Sequence, residues 1–126
     1  MLEVGMKGSA TTTVRENNTA KAFCSGALEV FATPAMLSLM EECCWKMIQP
    51  ELGEGEGSVG TKANISHDHA SPIGHTITCN ATLTEIDRRR LVFEVSCYDG
   101  DTLIGKGTHE RFIINNAKFM AKTNNN

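Results

Sequence analysis

The sequence predicts an α+β fold in which an antiparallel β-sheet wraps around one long central helix. Three observations predict it. Apolar residues recur with a helical period between Thr33 and Pro50, and with a period of two from Val59 to Ile114. The dipeptide Asp99-Gly100 separates two alternating segments and is a strong hairpin signal, which makes neighbouring strands antiparallel. A helix followed by consecutive antiparallel strands is typical of the α+β class.

The composition predicts one domain that spans residues 1–126. Hydrophobic residues make up 40% of the 126 residues and charged residues 21%, which is enough to build one core. Twelve Lys and Arg oppose fifteen Asp and Glu with the signs interspersed, so the chain offers no basic surface for nucleic acid. The last segment, Asn124 to Asn126, is polar, and we expect it to be a disordered tail.

The sequence also argues against a membrane protein. The most apolar stretch, Ala27 to Ile48, contains six polar or charged residues, whereas a membrane span needs about 20 mostly apolar residues. No positive patch followed by an apolar run marks a signal peptide, so we expect a cytoplasmic protein. The five cysteines are an odd number without a CxxC pair, which predicts reduced thiols rather than disulfides or a zinc site.

One strand and one helix are predicted in the first half of the chain. Thr11 to Val14 is β-prone, and Asn17-Asn18 is typical of a turn. The helix follows: Thr33 is a favoured N-cap, and Pro34 is favoured at the first helical position because its missing N–H needs no partner there.

The apolar face of this helix is wide. At about 100° per residue its apolar side chains cover an arc of about 180°, which exceeds that of an ordinary surface helix and predicts heavy burial. Pro50 and Gly53 end the helix. The arc consists of Met36, Leu37, Leu39, Met40, Cys43, Cys44, Met47 and Ile48.

Four strands are predicted after the helix. A glycine-rich connector, Gly53 to Gly57, precedes the first, the second follows Pro72, and the third follows the charged turn Asp87 to Arg90. The predicted inward residues are Val59, Thr61, Ala63, Ile65 and His67 in the first strand, Ile73, His75, Ile77, Cys79, Ala81 and Leu83 in the second, and Leu91, Phe93, Val95 and Cys97 in the third.

The last strand is predicted from Leu103 to Ile114. Its glycines, Gly105 and Gly107, predict a bulge or a close approach of another backbone. Because the apolar arc of the helix is so wide, the sheet must wrap around it, and this arrangement is the hotdog architecture. One edge of the sheet stays open, so we predict at least a homodimer and leave open whether dimers pair into tetramers.

Two neighbouring glutamates on the helix have different surroundings. Glu42 lies on the polar face with Lys46 one turn later, which predicts a solvent-exposed ion pair. Glu41 lies about 20° outside the apolar arc, so its carboxylate should be partly desolvated. Such a carboxylate is either a functional group or a boundary residue that reaches solvent.

Thr33 and the histidines are further candidates. The N-cap role explains Thr33, although its hydroxyl can also serve a ligand at the positive end of the helix. His67 and His75 are predicted to face inward, where each is either a core residue or a group that titrates near neutral pH. His109 and Arg111 occupy alternate positions on one face of the last strand, where they can act structurally at a subunit contact.

Other kinds of site have little support. His67-Asp68-His69 suggests a metal site, but Pro72 to Thr84 offers no carboxylate to complete it, and we predict no metal and no cofactor. No cysteine has a context that lowers its pKa, which argues against a cysteine nucleophile. The glutamates between Gly53 and Gly57 would repel a phosphate.

A set of motifs occurs in order along the chain. In this order and spacing, the chain resembles the hotdog thioesterases related to fluoroacetyl-CoA thioesterase over nearly its whole length. Eight residues separate Thr33 from Glu41, and twenty-six separate Glu41 from His67. The motifs are Phe31-Ala32-Thr33-Pro34-Ala35-Met36, Leu39-Met40-Glu41, Ser58-Val59-Gly60-Thr61, His67 and Gly107-Thr108-His109-Glu110-Arg111-Phe112.

The resemblance implies an activity and a set of site residues. The catalytic threonine, glutamate and histidine of the family match Thr33, Glu41 and His67. Its glycine near the thioester carbonyl matches Gly60, and its arginine in the last strand matches Arg111, which anchors either the site or the acyl-CoA substrate. The implied reaction is metal-independent hydrolysis of an acyl-CoA to a free acid and coenzyme A.

Physical chemistry leaves the route of this reaction open. Glu41 can attack the thioester directly, giving a mixed anhydride, or activate a water molecule. His67 can polarise the carbonyl or manage protons, and Thr33 can orient a carboxylate or water. Since Thr33 and Glu41 are about 12 Å apart along a straight helix, a bend, a bridging water or substrate, or a second chain must connect them.

Two other functions are weighed against the thioesterase. One is a non-catalytic hotdog protein that binds acyl-CoA or another apolar ligand. The other is a hotdog dehydratase, which is less favoured because the Asp/His pairing expected on its helix is not evident. In the fluoroacetyl enzyme an aromatic-rich lid precedes the helix, and Cys24 and Ala27 match its positions here. We therefore expect a more open acyl pocket.

Overall fold

The computed structural model describes residues 1–125. The predicted helix and the four strands after it are confirmed, whereas the N-terminal strand begins at Lys7 rather than Thr11. None of the helices in residues 1–125 is long and apolar enough to cross a membrane. The elements are β1 (Lys7–Thr13), α1 (Thr33–Ile48), β2 (Glu56–His67), β3 (Thr76–Asp87), β4 (Arg90–Asp99), β5 (Thr102–Asn115) and α2 (Asn116–Asn124).

The five strands form one antiparallel sheet in the order β1-β3-β4-β5-β2. Helix α1 packs on one face and contacts all five strands. This is the hotdog fold, as the sequence predicts. Strand β2 lies at an edge of the sheet, and its middle residues, Gly60 to Asn64, are exposed.

The core lies between α1 and the sheet. The wide apolar face of α1 is buried as predicted, with Leu37 and Met47 half-buried at its borders. The alternating residues of β3 and β4 that pack against it are Ile77, Cys79, Ala81, Leu83, Leu91, Phe93, Val95 and Cys97, all of them buried.

The predicted inward position of His75 is wrong. Strand β3 begins at Thr76, so His75 and Ile73 lie in the preceding turn and are exposed. The ring of His75 instead contacts the carboxylate of Asp99, with 2.8 Å between Nδ1 and Oδ2. An alternating pattern alone does not mark where the turn ends and the strand begins.

The predicted N-cap role of Thr33 is also wrong. Thr33 is the first residue of α1, and Ala32 takes the N-cap position with an extended backbone and no capping side chain. The buried Ala32 carbonyl accepts the first helical hydrogen bond from the Met36 amide at 2.9 Å. Pro34 lies in the first turn, as expected. The hydroxyl of Thr33 is therefore available for another partner.

A β-bulge changes which residues of β2 face α1. Opposite β5, Thr61 is an extra residue between the paired positions Gly60 and Lys62. One extra residue exchanges the two faces of a strand. The predicted inward face is therefore wrong for Thr61 itself and for Val59, which lies opposite the exposed Phe112. The residues that face α1 are Ser58, Gly60, Ala63, Ile65 and His67.

Strand β5 shows both features that its glycines predict. Its pairing with β4 shifts register next to Gly105. A Cβ atom on Gly105 would lie 2.7 Å from Sδ of Met36 and 2.5 Å from the backbone oxygen of Ser66. The absent side chain lets α1 and β2 approach β5 closely at this point.

The C-terminal helix α2 is an element that the sequence analysis does not predict. The side chain of Asn115 caps it by accepting a hydrogen bond of 3.0 Å from the Lys118 amide. Asn124 is the last residue of α2 and Asn125 is its C-cap, where the sequence predicts a disordered tail. Asn126 lies outside the described residues.

Candidate active site

The predicted site residues form two groups at two points along β2. The first group is the Thr33–His67 pair, which joins the start of α1 to the end of β2. The second is the Glu41 cluster, which we define as Glu41, Gly60, His109 and Arg111, joining the middle of α1 to β2 and β5.

The Thr33–His67 pair is a direct hydrogen bond. Oγ1 of Thr33 lies 2.8 Å from Nδ1 of His67. The imidazole also meets the ring of Phe31 edge-on, with 6.3 Å between ring centroids and 75° between planes. The hydroxyl and the aromatic ring together fix the orientation of His67. A cleft of about 260 Å³ opens beside the pair.

The second ring nitrogen of His67 is buried without a partner. Within residues 1–125, Nε2 of His67 makes no hydrogen bond. Burial lowers the pKa of His67 below its ordinary value of 6.5, although the nearby Asp68 carboxylate opposes this shift. A neutral imidazole with one unpaired nitrogen is suited to meet a polar group of a ligand.

Glu41 lies at the border of the buried face of α1. Its side chain is 42% exposed, so it is partly desolvated as predicted. The carboxylate borders a cleft of about 380 Å³ that also contains Trp45. Glu42 is exposed to a similar extent, 44%, at the edge of the same cleft, but its carboxylate accepts a hydrogen bond of 2.8 Å from Lys46, as the helical spacing predicts.

The absence of a side chain at Gly60 leaves space for the carboxylate of Glu41. A Cβ atom at position 60 would lie 2.6 Å from Oε2 of Glu41 and 3.1 Å from Cε1 of His109. Real Cβ atoms do not approach other atoms so closely, so any side chain at position 60 would displace Glu41. The bulge at Thr61 is what turns Gly60 towards α1.

Arg111 is a buried cation directed at Glu41. Its side chain is only 7% exposed, and NH1 lies 3.7 Å from Oε2 of Glu41. Arg111 also donates two hydrogen bonds to Ser58: Nε donates to the hydroxyl at 2.8 Å, and NH2 donates to the backbone carbonyl at 2.9 Å. Burial lowers the pKa of Arg111, and the Glu41 carboxylate acts against that shift. The guanidinium stays charged, as arginine does in proteins.

His109 completes the cluster. Its ring is 2% exposed and stacks on Phe93 at 6.3 Å between centroids. Nδ1 lies 2.8 Å from the backbone oxygen of Lys62, and Nε2 lies 3.1 Å from NH1 of Arg111. His109 and Arg111 both face α1 and are buried within the single chain.

The buried cysteines are poor nucleophiles. Cys43, Cys44, Cys79 and Cys97 are buried, and Cys24 is exposed. The pKa of Cys43 is raised, first by its hydrogen bond with Cys79 and then by burial, and burial also raises the pKa of Cys44. A thiol with a raised pKa does not supply the thiolate that nucleophilic attack requires.

The polar residues around position 68 contact neighbouring parts of the chain. In the part of the chain that the structure describes, no three His, Cys, Asp or Glu side chains converge on one point. Asp68 accepts a hydrogen bond of 2.9 Å from the Ser66 hydroxyl, and Nδ1 of His69 contacts the backbone oxygen of Ala70 at 3.1 Å.

Comparison with known proteins identifies the family. The family model for the fluoroacetyl-CoA-specific thioesterase matches residues 14–117. The chain belongs to this thioesterase family. The match includes both the Thr33–His67 pair and the Glu41 cluster.

Individual members of the thioesterase family agree with this assignment. Fluoroacetyl-CoA thioesterase from Streptantibioticus cattleyicolor is 48% identical over 94 residues, which cover 75% of this chain and 68% of that protein. The crystal structure of fluoroacetyl-CoA thioesterase superposes with a TM-score of 0.94 at 37% identity and covers 99% of this chain and 97% of its own. A thioesterase superfamily protein from Thermus thermophilus superposes with a TM-score of 0.90 at 27% identity, covering 98% and 91%.

In this thioesterase-family chain, the structure brings the predicted residues together only in part. It joins Thr33 to His67, and Glu41 to Gly60 and Arg111, but it leaves the two groups apart. Thr33 and Glu41 lie on one continuous helix, so eight residues of helical rise separate them by about 12 Å. His109 lies in the Glu41 cluster, where the sequence predicts only a structural role for it. The signal available was its position two residues before Arg111 on the same strand face.

Proposed function

We propose that the protein is a homodimeric acyl-CoA thioesterase, which hydrolyses its substrate to a free acid and coenzyme A with no metal or cofactor. The arrangement of Glu41 carries the proposal: its carboxylate borders an open cleft, beside Gly60 and opposite the buried Arg111. The relative from Streptantibioticus cattleyicolor is a fluoroacetyl-CoA thioesterase, which supports hydrolysis of an acyl-CoA thioester by this chain too.

Glu41 either activates the attacking water molecule or attacks the thioester itself. As a base, it takes a proton from a water molecule whose oxygen bonds to the thioester carbon. As a nucleophile, it bonds to that carbon itself and gives a mixed anhydride that water then cleaves. Either route breaks the carbon–sulfur bond and releases a thiolate that needs a proton. The missing side chain at Gly60 lets the reacting carbon approach the carboxylate.

The Thr33–His67 pair supplies a donor for the developing charge. When the Thr33 hydroxyl donates to Nδ1 of His67, the neutral ring carries its proton on Nε2, the atom that has no partner in residues 1–125. That N–H can stabilise the carbonyl oxygen as it gains charge. In the base route, the proton that Glu41 takes from the water molecule is available for the departing thiolate.

A second copy of the chain brings the two groups together. The exposed edge of β2, centred between Ala63 and Asn64, can pair with the same edge of a partner around a two-fold axis. In the register that sets Gly60 opposite His67 of the partner subunit, the Glu41 cluster of one chain meets the Thr33–His67 pair of the other. Each dimer then contains two composite sites.

The acyl group enters beside the Thr33–His67 pair in this proposal. Small residues lie in the preceding segment at Cys24 and Ala27, and both are exposed. Because no aromatic side chain stands at these two positions, we expect the pocket to accept acyl groups larger than fluoroacetyl.

The activity test follows free thiol release from a panel of acyl-CoAs, from acetyl to long-chain and aryl. The assay uses Cys24→Ser protein, because Cys24 is the exposed thiol among the described cysteines and would react with the dye. We compare Glu41→Gln with Glu42→Gln, a matched control one residue away whose carboxylate pairs with Lys46.

We expect turnover of one class of acyl-CoA, lost at least about 100-fold in Glu41→Gln and retained in Glu42→Gln. Full activity of Glu41→Gln would overturn the role of Glu41. Binding of acyl-CoA without turnover by any substrate in the panel would favour the non-catalytic ligand-binding protein instead.

The composite site has its own test. Glu41→Gln and His67→Ala chains are prepared separately, then unfolded and refolded as a mixture. If each site takes Glu41 from one chain and His67 from the other, a mixed dimer contains one intact site. Random mixing then restores about a quarter of the wild-type activity. If both residues act within one chain, the mixture stays inactive, and the composite site is wrong.

A further inference from the structure

The hydrogen bonds of His109 determine its protonation state. Its Nδ1 faces the backbone oxygen of Lys62, and a carbonyl can only accept. Its Nε2 faces NH1 of Arg111, and a guanidinium can only donate. The ring therefore carries one proton, on Nδ1, and presents a lone pair to Arg111 from Nε2.

The surroundings of His109 stabilise this neutral form. The ring is 2% exposed and stacked on Phe93, so adding a second proton would place a positive charge in the core. The nearby positive charge of Arg111 also disfavours a second proton, and burial and Arg111 both lower the pKa of His109. Lys62, whose carbonyl fixes the ring, directly follows the bulge residue Thr61.

The remaining bonds of Arg111 leave little freedom to its guanidinium. Ser58 holds Nε and NH2, and His109 holds NH1 on the side that faces Glu41. The distance of 3.7 Å between NH1 and Oε2 of Glu41 is long for a direct hydrogen bond. Arg111 therefore acts on Glu41 as a fixed charge whose position depends on its other partners.

We propose that His109 is a positioning residue for catalysis: as the neutral Nδ1–H tautomer, it holds the guanidinium of Arg111 at the distance that orients the Glu41 carboxylate beside Gly60. Ser58 holds the opposite side of the guanidinium. This inference rests on the proposed catalytic role of Glu41. It adds a residue that touches neither the carboxylate nor the substrate and acts through Arg111.

Two substitutions of His109 each keep one of the two hydrogen bonds that its ring makes. His109→Asn retains an N–H near the position of Nδ1 but has no acceptor for Arg111. His109→Gln places a carbonyl oxygen near the position of Nε2 and so retains that acceptor. For His109→Asn we expect kcat to fall about 10- to 100-fold with KM within about twofold. For His109→Gln we expect kcat within about fivefold of wild type.

The order of these two variants tests the proposal. A merely structural histidine predicts that Asn and Gln reduce kcat in proportion to the stability each one loses, which thermal unfolding measures. Equal kcat values for the two variants, or a wild-type kcat for His109→Asn, overturn the positioning role. Ser58→Ala, at a half-buried strand position, removes the hydroxyl that accepts from Nε of Arg111 and so also loosens the guanidinium. We expect this variant to reduce kcat with unchanged KM.

Nitrogen NMR of the imidazole rings tests the tautomer in the unaltered protein. We expect Nε2 of His109 to be unprotonated and Nδ1 protonated throughout the neutral pH range. A protonated Nε2, or a ring that titrates near its ordinary value, overturns the inference without any variant.

The Glu41→Gln variant separates this inference from the proposed function. If Glu41→Gln retains a residual rate at least about 100-fold below wild type, and adding His109→Asn does not lower that residual rate, His109 acts through Glu41. A further loss in the double variant means that His109 acts by another route, which overturns the inference alone. An active Glu41→Gln variant overturns the proposed function, and the positioning role falls with it.

Discussion

The Thr33 hydroxyl lies 2.8 Å from Nδ1 of His67, so the first residue of α1 is bonded to the last residue of β2. The same hydroxyl makes no capping bond to the helix. A threonine before a proline at a helix start usually has a structural purpose, whereas here it contacts a histidine whose other nitrogen is unpaired within residues 1–125. This relationship gives the first prediction.

Thr33→Val removes the hydroxyl but keeps the branched shape of the side chain. We expect kcat to fall about 10- to 100-fold because His67 loses the bond that orients it. We expect the free energy of unfolding to change by less than about 0.5 kcal/mol, since loss of an N-cap would instead cost about 1 kcal/mol. Steady-state kinetics and urea unfolding measure the two effects. Thr33→Ser, which keeps the hydroxyl, is the control and should retain activity.

Gly60→Ala places a methyl group 2.6 Å from Oε2 of Glu41. Because Oε2 is the far end of a flexible side chain, we expect the carboxylate to move rather than the fold to fail. The kcat should fall at least about 100-fold while the unfolding midpoint changes little. Gly53→Ala is a matched control, since its Cβ meets only the far end of Glu56, at 3.0 Å. An active Gly60→Ala enzyme would contradict the position given to Glu41.

Gly105→Ala should act on stability instead. Its Cβ would meet a backbone oxygen at 2.5 Å and the sulfur of Met36 at 2.7 Å. The backbone cannot yield as a side chain can, so we expect a loss of about 2 to 3 kcal/mol in the free energy of unfolding. Chemical denaturation measures it. An unchanged midpoint would show that α1 and β5 are less closely packed than described.

Two buried histidines make stability depend on pH. Burial lowers the folded-state pKa values of His67 and His109 below 6.5. The unfolded chain therefore binds more protons than the folded one below about pH 6.5, so stability is complete above that pH and falls as the pH decreases. Urea midpoints should fall from about pH 8 to about pH 5.5. The slope should be smaller in His109→Gln, and an identical slope would assign the effect to other groups.

The Glu42–Lys46 pair should contribute little to stability. Its side chains are 44% and 57% exposed, and exposed pairs of this spacing contribute about 0.3 to 0.5 kcal/mol. We expect Glu42→Gln to change the free energy of unfolding by no more than that and to leave kcat unchanged. Urea unfolding and thiol release check both values. A large loss of activity would place Glu42, rather than Glu41, at the reacting centre.

The helix and the succession of strands along the chain could be predicted because each depends on a local pattern. The pairing of β2 with β5, rather than with the next strand β3, was not predicted. The apolar arc of α1 and the alternation in β3 and β4 follow directly from residue spacing, and the Asp99-Gly100 turn fixes the antiparallel connection of β4 to β5. Gly60 and Arg111 were proposed from the family resemblance, and no local pattern sets their contacts with Glu41. Those contacts are made between α1, β2 and β5, far apart along the chain.

The errors arise where one contact overrides a local rule. Thr33 has the sequence context of an N-cap, yet a buried alanine carbonyl begins the helix and the hydroxyl contacts His67. His109 has the pattern of any inward strand residue, and only its two ring contacts distinguish it. Gly60, directly before the bulge at Thr61, is the same kind of signal that predicts a bulge in β5. The alternation predicted for β2 continued across it and placed Val59 and Thr61 on the wrong face.

The extra residue at Thr61 makes the bulge itself a condition of the chemistry. Gly60 and His67 are seven residues apart, so in a strand with unbroken alternation they would lie on opposite faces and one of them would turn away from α1. Because Thr61 is left out of the alternation, both residues face α1. In a relative that keeps all the residues of β2 but pairs them without a bulge, identical site residues would no longer imply the same spatial arrangement.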